Sequence, residues 1–344
     1  MNGPPPRYAG STFAAYRPAS PSQETARDEA RRFAARARRR LAGPGWRRGM
    51  RRLVRTIAGP HHHDGLGAGL YLLGPVGTGK THLLAAIHDA VTDPRGAGAP
   101  IPAAFVHSST LFRAKAPPEE YAHDVAKRAR VLLIDEVELD DPASEVRLMG
   151  VLRTLRRLGV VVAATSNARP ESFVTGAQGS ERLARFVSEE FRRNYHVVLV
   201  GGDDYRRRLP SRGVTYVGPG ADEALRAAAG AASGRTLHLT FLELLARATE
   251  VERVRLAREL ADLDALFLES VAIRDTDDAL RLLRVMDDLY AAPHAPALHL
   301  SAAGRPSEWF PPALQPAGVA RSVAEKFART TSRIEALAAV VLVE

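Results

Sequence analysis

Residues 69–84 read GLYLLGPVGTGKTHLL. The apolar run Leu70 to Leu73 has the length of a buried parallel strand, and Thr81 to Val91 has helical apolar spacing. Between them, Gly74-Pro75-Val76-Gly77-Thr78-Gly79-Lys80-Thr81 fits G-x-x-x-x-G-K-[ST] at every fixed position. The glycines let backbone amides converge on a phosphate without Cβ obstruction, and the helix that follows presents its positive end to the same anion. Lysine occurs only at Lys80, Lys115, Lys127 and Lys326 in a chain with 48 basic residues. At this position a compact ammonium on a flexible stem reaches the β- and γ-phosphates of a nucleotide, and the Thr81 hydroxyl is placed for Mg2+.

Strand and helix patterns alternate around this loop. Strands are expected at Leu70–Leu73, Ala103–Val106, Val131–Ile134, Val160–Thr165 and Val197–Val200, with helices at Pro117–Arg130, Pro142–Leu158 and Glu181–Asn194. Asp140 or Asp141 is the expected cap of the Pro142 helix. Such alternation predicts an α/β fold, a parallel sheet covered by helices on both faces. The expected organisation is a disordered arm at 1–22, a basic helical segment at 23–58 broken near Gly43, the P-loop core at 59–202, and a smaller mixed α/β and helical part at 203–344. In that last part, 201–240 reads as irregular, Leu239–Leu268 as helix, Ser270–Ile273 and Ala297–Ser301 as strands, and Thr276–Tyr290 and Ser322–Leu337 as helices. No internal repeat is evident.

Val131-Leu132-Leu133-Ile134-Asp135-Glu136 is an apolar strand ending in two carboxylates. After a phosphate loop, Asp135 is the candidate Mg2+ ligand with Thr81, and Glu136 the candidate general base for an attacking water. The next apolar strand ends Thr165-Ser166-Asn167, and Asn167 is the candidate for orienting that water or touching the γ-phosphate.

These stretches, in the order GLYLLGPVGTGKTHLL, VLLIDEVELDDPASEVRLMGVLRTLRRLGVVVAATSNARPESF, ERLARF, HVVLVGGDDYRRR, DTDDALRLLRVMDDLYAAPHAPALHLSA and KFARTTSRIEAL, resemble the ZapE family of AAA+ ATPases, also called AFG- or LACE-type, across roughly residues 60 to 340. The resemblance implies an ATP- and Mg2+-dependent hydrolase that remodels or regulates a protein partner, with the division protein FtsZ the bacterial candidate. It also implies a homo-oligomer in which an arginine reaches a neighbour's γ-phosphate. Where the family carries an R-x-RF-L-P stretch this chain has ERLARFVSEEF, which leaves Arg182 and Arg185 as candidates. Arg206 in DYRRR, and Arg329 or Arg333 in RTTSR, are candidates for a nucleotide-sensing arginine.

The chain has no cysteine, which excludes disulfides, iron–sulfur clusters and thiol nucleophiles. It has no long apolar run and no apolar leader, so neither a transmembrane helix nor a secretory signal is expected, and a cytoplasmic location is the expectation. The net charge is +9, concentrated in the arginine-rich stretch 26–55, which reads as a solvated amphipathic helix in preference to a nucleic-acid surface; basic helices of this kind also meet membranes and protein partners. His61, His62 and His63 read as a loop in preference to a metal site. Two other readings stay open: a nucleic-acid factor of the helicase-loader type, and a binding module switched by nucleotide without turnover.

Overall fold

The computed structural model describes residues 3–41, 69–96, 99–139, 142–169, 180–202, 211–292, 294–310 and 320–344. Arg206, the histidine run 61–63 and the candidate caps Asp140 and Asp141 lie outside them. The chain divides into two units, the first holding most of the chain up to Asp203 and the second beginning at Asp204.

In the first unit five parallel strands, β1 (Gly69–Leu73), β2 (Ala103–His107), β3 (Val131–Asp135), β4 (Val161–Ser166) and β5 (Tyr195–Leu199), lie in the order β2-β3-β4-β1-β5. The strands β1, β3 and β4 are buried along their whole length, as uninterrupted apolar runs require when helices cover both faces. Alternate side chains separate the two cores. Tyr71, Leu132 and Ile134 pack with Leu148, Leu152 and Phe186, while Leu70, Leu72 and Leu133 pack with Leu83, Leu84 and Ile87.

The second core is completed by the helix Pro21–Leu41, whose Ala26, Ala30, Phe33, Ala34 and Ala37 are buried at helical spacing. Its arginines mark the opposite face, but Arg38 turns in. It donates to the carbonyls of Ala90 (2.8 Å) and Asp93 (2.9 Å) at the end of the helix Lys80–Thr92, where orphan carbonyls need donors. The basic helix is therefore built into the first unit.

The expected disordered arm is a correction. Tyr16 is only 6% exposed and packs edge-on against His82 at 5.3 Å, and His82 Nε2 meets the Thr12 carbonyl at 3.0 Å. A buried aromatic ring and a contact that satisfies a backbone carbonyl supply the burial that the Pro/Ser/Gly composition of this segment did not advertise.

The second unit also holds a five-stranded parallel sheet, of β6 (Gly213–Val217), β7 (Thr236–Thr240), β8 (Ala265–Glu269), β9 (Ala297–Ala302) and β10 (Ala338–Leu342), in the order β10-β6-β9-β8-β7. Leu266, Leu268, Leu298 and Leu300 face a core with Leu244, Met286 and Ile334. Three expectations are corrected here. The stretch 201–240 carries β6, the helix Ala221–Ala231 and β7. The expected helix Leu239–Leu268 breaks into two helices and β8, because a short apolar run such as ALFLE serves a buried strand as well as a buried helix. The expected strand at Ser270–Ile273 lies one element too late, since β8 ends at Glu269. The internal repeat missing from the sequence is present in the topology: in both units the strands run second, third, fourth, first, fifth across the sheet.

Two predictions follow from the first unit. Phe33→Ala removes a side chain 2% exposed in the shared core and should cost about 3–5 kcal/mol in denaturant unfolding. Burial lowers the pKa of His82, against the Thr12 hydrogen bond, and of His88, against Asp89. With folded values below unfolded ones, stability is complete above the unfolded pKa of about 6.5 and falls as the pH drops through the folded values; thermal midpoints read from pH 8 to pH 5 test this.

Candidate functional site

Parallel register brings the C-terminal ends of β1, β3 and β4 side by side, and each opens into a polar segment. After β1, Gly77 (φ 76°) and Gly79 (φ 87°) take the left-handed backbone that makes the loop possible. Gly74 is needed for a second reason: a Cβ there would collide with the Val200 carbonyl oxygen. The Lys80 side chain, 8% exposed, folds back over the loop and donates from Nζ to the carbonyls of Gly74 (2.7 Å) and Pro75 (2.6 Å). The loop's cation is thus held within the turn. Thr78 Oγ1 donates to the Pro75 carbonyl at 3.0 Å.

The Asp135 carboxylate ends the buried strand β3. Its Oδ1 accepts from Thr165 Oγ1 at 2.6 Å and from Thr81 Oγ1 at 3.1 Å. Burial raises its pKa and the Glu136 charge adds to that, while the hydroxyls of Thr165 and Thr81 and the nearby His107 act the other way. A buried carboxylate paired with a hydroxyl at the head of the phosphate-loop helix suits a hard divalent cation, whose charge would relieve the cost of burial. Among the described residues no cluster of three or more His, Cys, Asp or Glu side chains could hold a metal ion. The Thr81 hydroxyl and the Asp135 carboxylate are hard oxygen donors, the kind that a divalent cation takes alongside phosphate oxygens and water.

Glu136 sits at φ 53°, outside the strand geometry of its neighbours. Its N–H donates to Thr165 Oγ1 (2.8 Å), its carbonyl accepts from Ser108 Oγ (2.6 Å), and its Oε2 lies 3.1 Å from His107 Nε2. His107 Nδ1 in turn meets Ser109 Oγ at 2.8 Å. Thr165 and His107 are the residues that the sequence reading missed. Thr165 is the last threonine of an apolar strand, and His107 ends β2 in register with Asp135. The pairing of the strands, and not spacing along the chain, identifies both.

Of the remaining candidates, Asn167 lies in the turn after β4, with Nδ2 3.4 Å from Glu138 Oε1. Arg182 and Arg185 share the helix Ser180–Arg185, and Arg185 is exposed. Arg329 and Arg333 belong to the second unit, where both are buried and paired with Asp287, Arg329 at 3.9 Å.

The N-terminal segment also reaches the loop. Tyr16 Oη donates to the Thr78 carbonyl at 3.1 Å and the buried Gln23 donates to the same oxygen from Nε2 at 3.4 Å. A Cβ at Gly79 would come 2.7 Å from the Tyr16 ring. Ser22 Oγ donates to the Leu199 carbonyl (2.8 Å) and accepts from the Gly201 N–H (2.9 Å), tying the segment to the end of β5. Tyr16→Phe removes one buried hydrogen bond from the loop backbone and should cost about 1 kcal/mol in unfolding, with a larger loss for Tyr16→Ala.

Among solved structures the chain is similar to a DnaI protein, at 20% identity and TM-score 0.40 over 58% of this chain and 93% of that one. It is similar to an AMPPCP-bound DnaA from Aquifex aeolicus, at 15% identity and TM-score 0.37 over 56% of this chain and 50% of that one. A family model described as AFG1-like ATPase matches residues 10–231, a span that contains the phosphate loop, the acidic strand and the N-terminal segment packed on the loop. With well over half of its length matched, and with these residues assembled at one sheet edge, the chain belongs to the AFG1-like ATPase family.

Proposed function

We propose that this ATPase hydrolyses ATP with Mg2+ at the C-terminal edge of the first unit's sheet, and that hydrolysis drives the remodelling of a protein partner. The observation that carries the reading is the hydrogen bond between Thr81 and Asp135, which joins the phosphate-loop helix to the acidic strand across 54 positions of sequence. The amides of Val76–Gly79 and the Lys80 ammonium would hold the β- and γ-phosphates, and Thr81 and Asp135 would hold Mg2+, which would draw charge from the phosphate oxygens. Glu136 would accept a proton from water as its oxygen attacks the γ-phosphorus and the bond to the bridging oxygen breaks, leaving ADP and phosphate.

His107 Nε2 lies 3.1 Å from Glu136 Oε2 and would compete with water for that carboxylate. Asn167 would orient the water. Arg185, exposed at a helix end, and Arg182 on the same helix are the candidates for a charge supplied to a neighbouring subunit, so a homo-oligomer belongs to the proposal. Family membership supports a protein partner, and FtsZ is the first to test. A cytoplasmic site of action belongs to the proposal, and no helix among the described residues is long and apolar enough to cross a membrane.

Lys80→Ala should weaken ATP binding at least about tenfold in a fluorescent-nucleotide titration. Glu136→Gln should keep binding and lower kcat by about 10² to 10⁴. Wild-type turnover per chain should rise with protein concentration, and Arg185→Ala should lower kcat by up to about 10³ with an unchanged ATP Kd. Tight binding by wild type with no turnover at any concentration would replace the ATPase mechanism with a nucleotide switch. Stimulation by DNA, with no response to FtsZ, would favour a nucleic-acid partner.

A further inference from the structure

The second unit repeats a set of hydrogen bonds at the strand ends of the first, and the repetition reaches the phosphate site. The strands β1 and β6 each begin on glycine and run into Gly-Pro, as GLYLLGP at 69–75 and GVTYVGP at 213–219. Leu72 and Leu73 pair with Thr165 and Ser166; Tyr216 and Val217 pair with Ser301 and Ala302. The Gly74 N–H donates to the Ser166 carbonyl and the Gly218 N–H to the Ala302 carbonyl, both at 3.2 Å. The Val200 N–H meets the Leu73 carbonyl at 2.6 Å, and the Val343 N–H meets the Val217 carbonyl at 2.8 Å. A Cβ at Gly74 would strike the Val200 carbonyl, and one at Gly218 would strike the Val343 carbonyl.

The acidic strand is repeated as well. Among the described residues, Glu136 (φ 53°) and Ser270 (φ 56°) are the non-glycine residues with left-handed backbone, and each follows the third strand of its unit. The Glu136 N–H donates to Thr165 Oγ1 at 2.8 Å, and the Ser270 N–H to Ser301 Oγ at 2.9 Å. The Val137 N–H reaches the Thr165 carbonyl at 2.7 Å, and the Val271 N–H the Ser301 carbonyl at 2.8 Å. A shared strand order alone is a common architecture, but this set of matched backbone bonds and strained residues makes Asp135 the counterpart of Glu269 and Thr165 the counterpart of Ser301.

At the loop the chemistry is reversed. Gly74 and Lys80 stand six positions apart, whereas Gly218 and the first helical residue, Ala221, stand three apart. The lysine's counterpart is Ala221 and the counterpart of Thr81 is Asp222. Asp222 accepts from Ser270 Oγ at 2.6 Å and from Ser301 Oγ at 2.5 Å. The strand-end hydroxyl that serves Asp135 in the first unit thus serves a carboxylate on the helix in the second. Glu269 turns instead to Arg226 and to His238, whose Nε2 lies 3.0 Å away. Burial opposes the charge of Asp222, but hydrogen bonds from Ser270 and Ser301, with Arg226 nearby, outweigh it and hold the carboxyl below the ordinary aspartate value. A phosphate brought to this shortened loop would meet a fixed carboxylate and no lysine.

We infer that the second unit is a duplicate of the ATPase core in which the chain's own Asp222 carboxylate fills the phosphate site, so that the chain carries one nucleotide site and the second unit stays closed without nucleotide. The inference concerns a site separate from the one assigned to hydrolysis.

Equilibrium dialysis of the full chain with labelled AMP-PNP and Mg2+ counts the sites. The expected result is one nucleotide per wild-type chain, and in Lys80→Ala the same single site weakened at least about tenfold. Two per wild-type chain, or a site of wild-type affinity in Lys80→Ala, would overturn the inference and leave the ATPase reading intact. No binding by wild type would sink the ATPase reading and agree with a closed second unit. Hydrogen exchange then tests the lock. Asp222→Ala should speed amide exchange at Ser270 and Val271 about tenfold, the scale of a lost hydrogen bond, with the Lys80 region unchanged. Asp222→Asn, which keeps an oxygen acceptor, should do less, and it carries the test if the alanine variant does not fold. Wild-type exchange in the folded variants would remove Asp222 from its assigned part.

Discussion

A carboxylate at the end of a fully buried strand must find donors, and Asp135 finds them on two other elements. Thr165 donates from β4 and Thr81 from the phosphate-loop helix. These two bonds fix how far the loop stands from the acidic strand, and the rest of the site takes its distances from them. Burial makes the arrangement costly for a bare carboxylate, as the raised pKa of Asp135 records, and a divalent cation at that point would turn the cost into affinity.

The backbone of Glu136 follows from the same constraint. Its left-handed conformation lets the Glu136 and Val137 N–H groups both turn toward Thr165, and it points the carboxylate to His107. Strain of this kind persists where neighbours over-determine it. Ser270 in the second unit has the same conformation and the same two partners in equivalent strands, with no glutamate to present. The geometry is therefore a property of the fold's strand ends, and the chemistry depends on which side chains are mounted there.

The N-terminal segment shows how a compositionally unpromising stretch becomes part of a site. Tyr16 and Gln23 both donate to the Thr78 carbonyl in the tight loop. Glycine at 79 serves the turn and also leaves room for the Tyr16 ring. The apolar stripe of Pro21–Leu41 then holds the segment in place, and its arginine density reflects the opposite face and the Arg38 cap.

The sequence by itself determined the phosphate loop, the acidic strand and the α/β class of the first unit, because each is a local pattern: glycines at fixed offsets, an apolar run with a charged end, and alternating periods of helix and strand. It also carried the family, through the order of those segments. Tertiary structure alone decided what depends on which strands are neighbours. The β2-β3-β4-β1-β5 order places Thr165 on Asp135 and His107 on Glu136, contacts 30 and 29 positions apart that no spacing rule predicts. It turned an expected arm into a packed segment, since a single tyrosine and a glutamine suffice when a loop carbonyl awaits them. It also revealed the second sheet as a repeat of the first, because hydrogen-bond register survives the loss of nearly every side chain that had made the first recognisable.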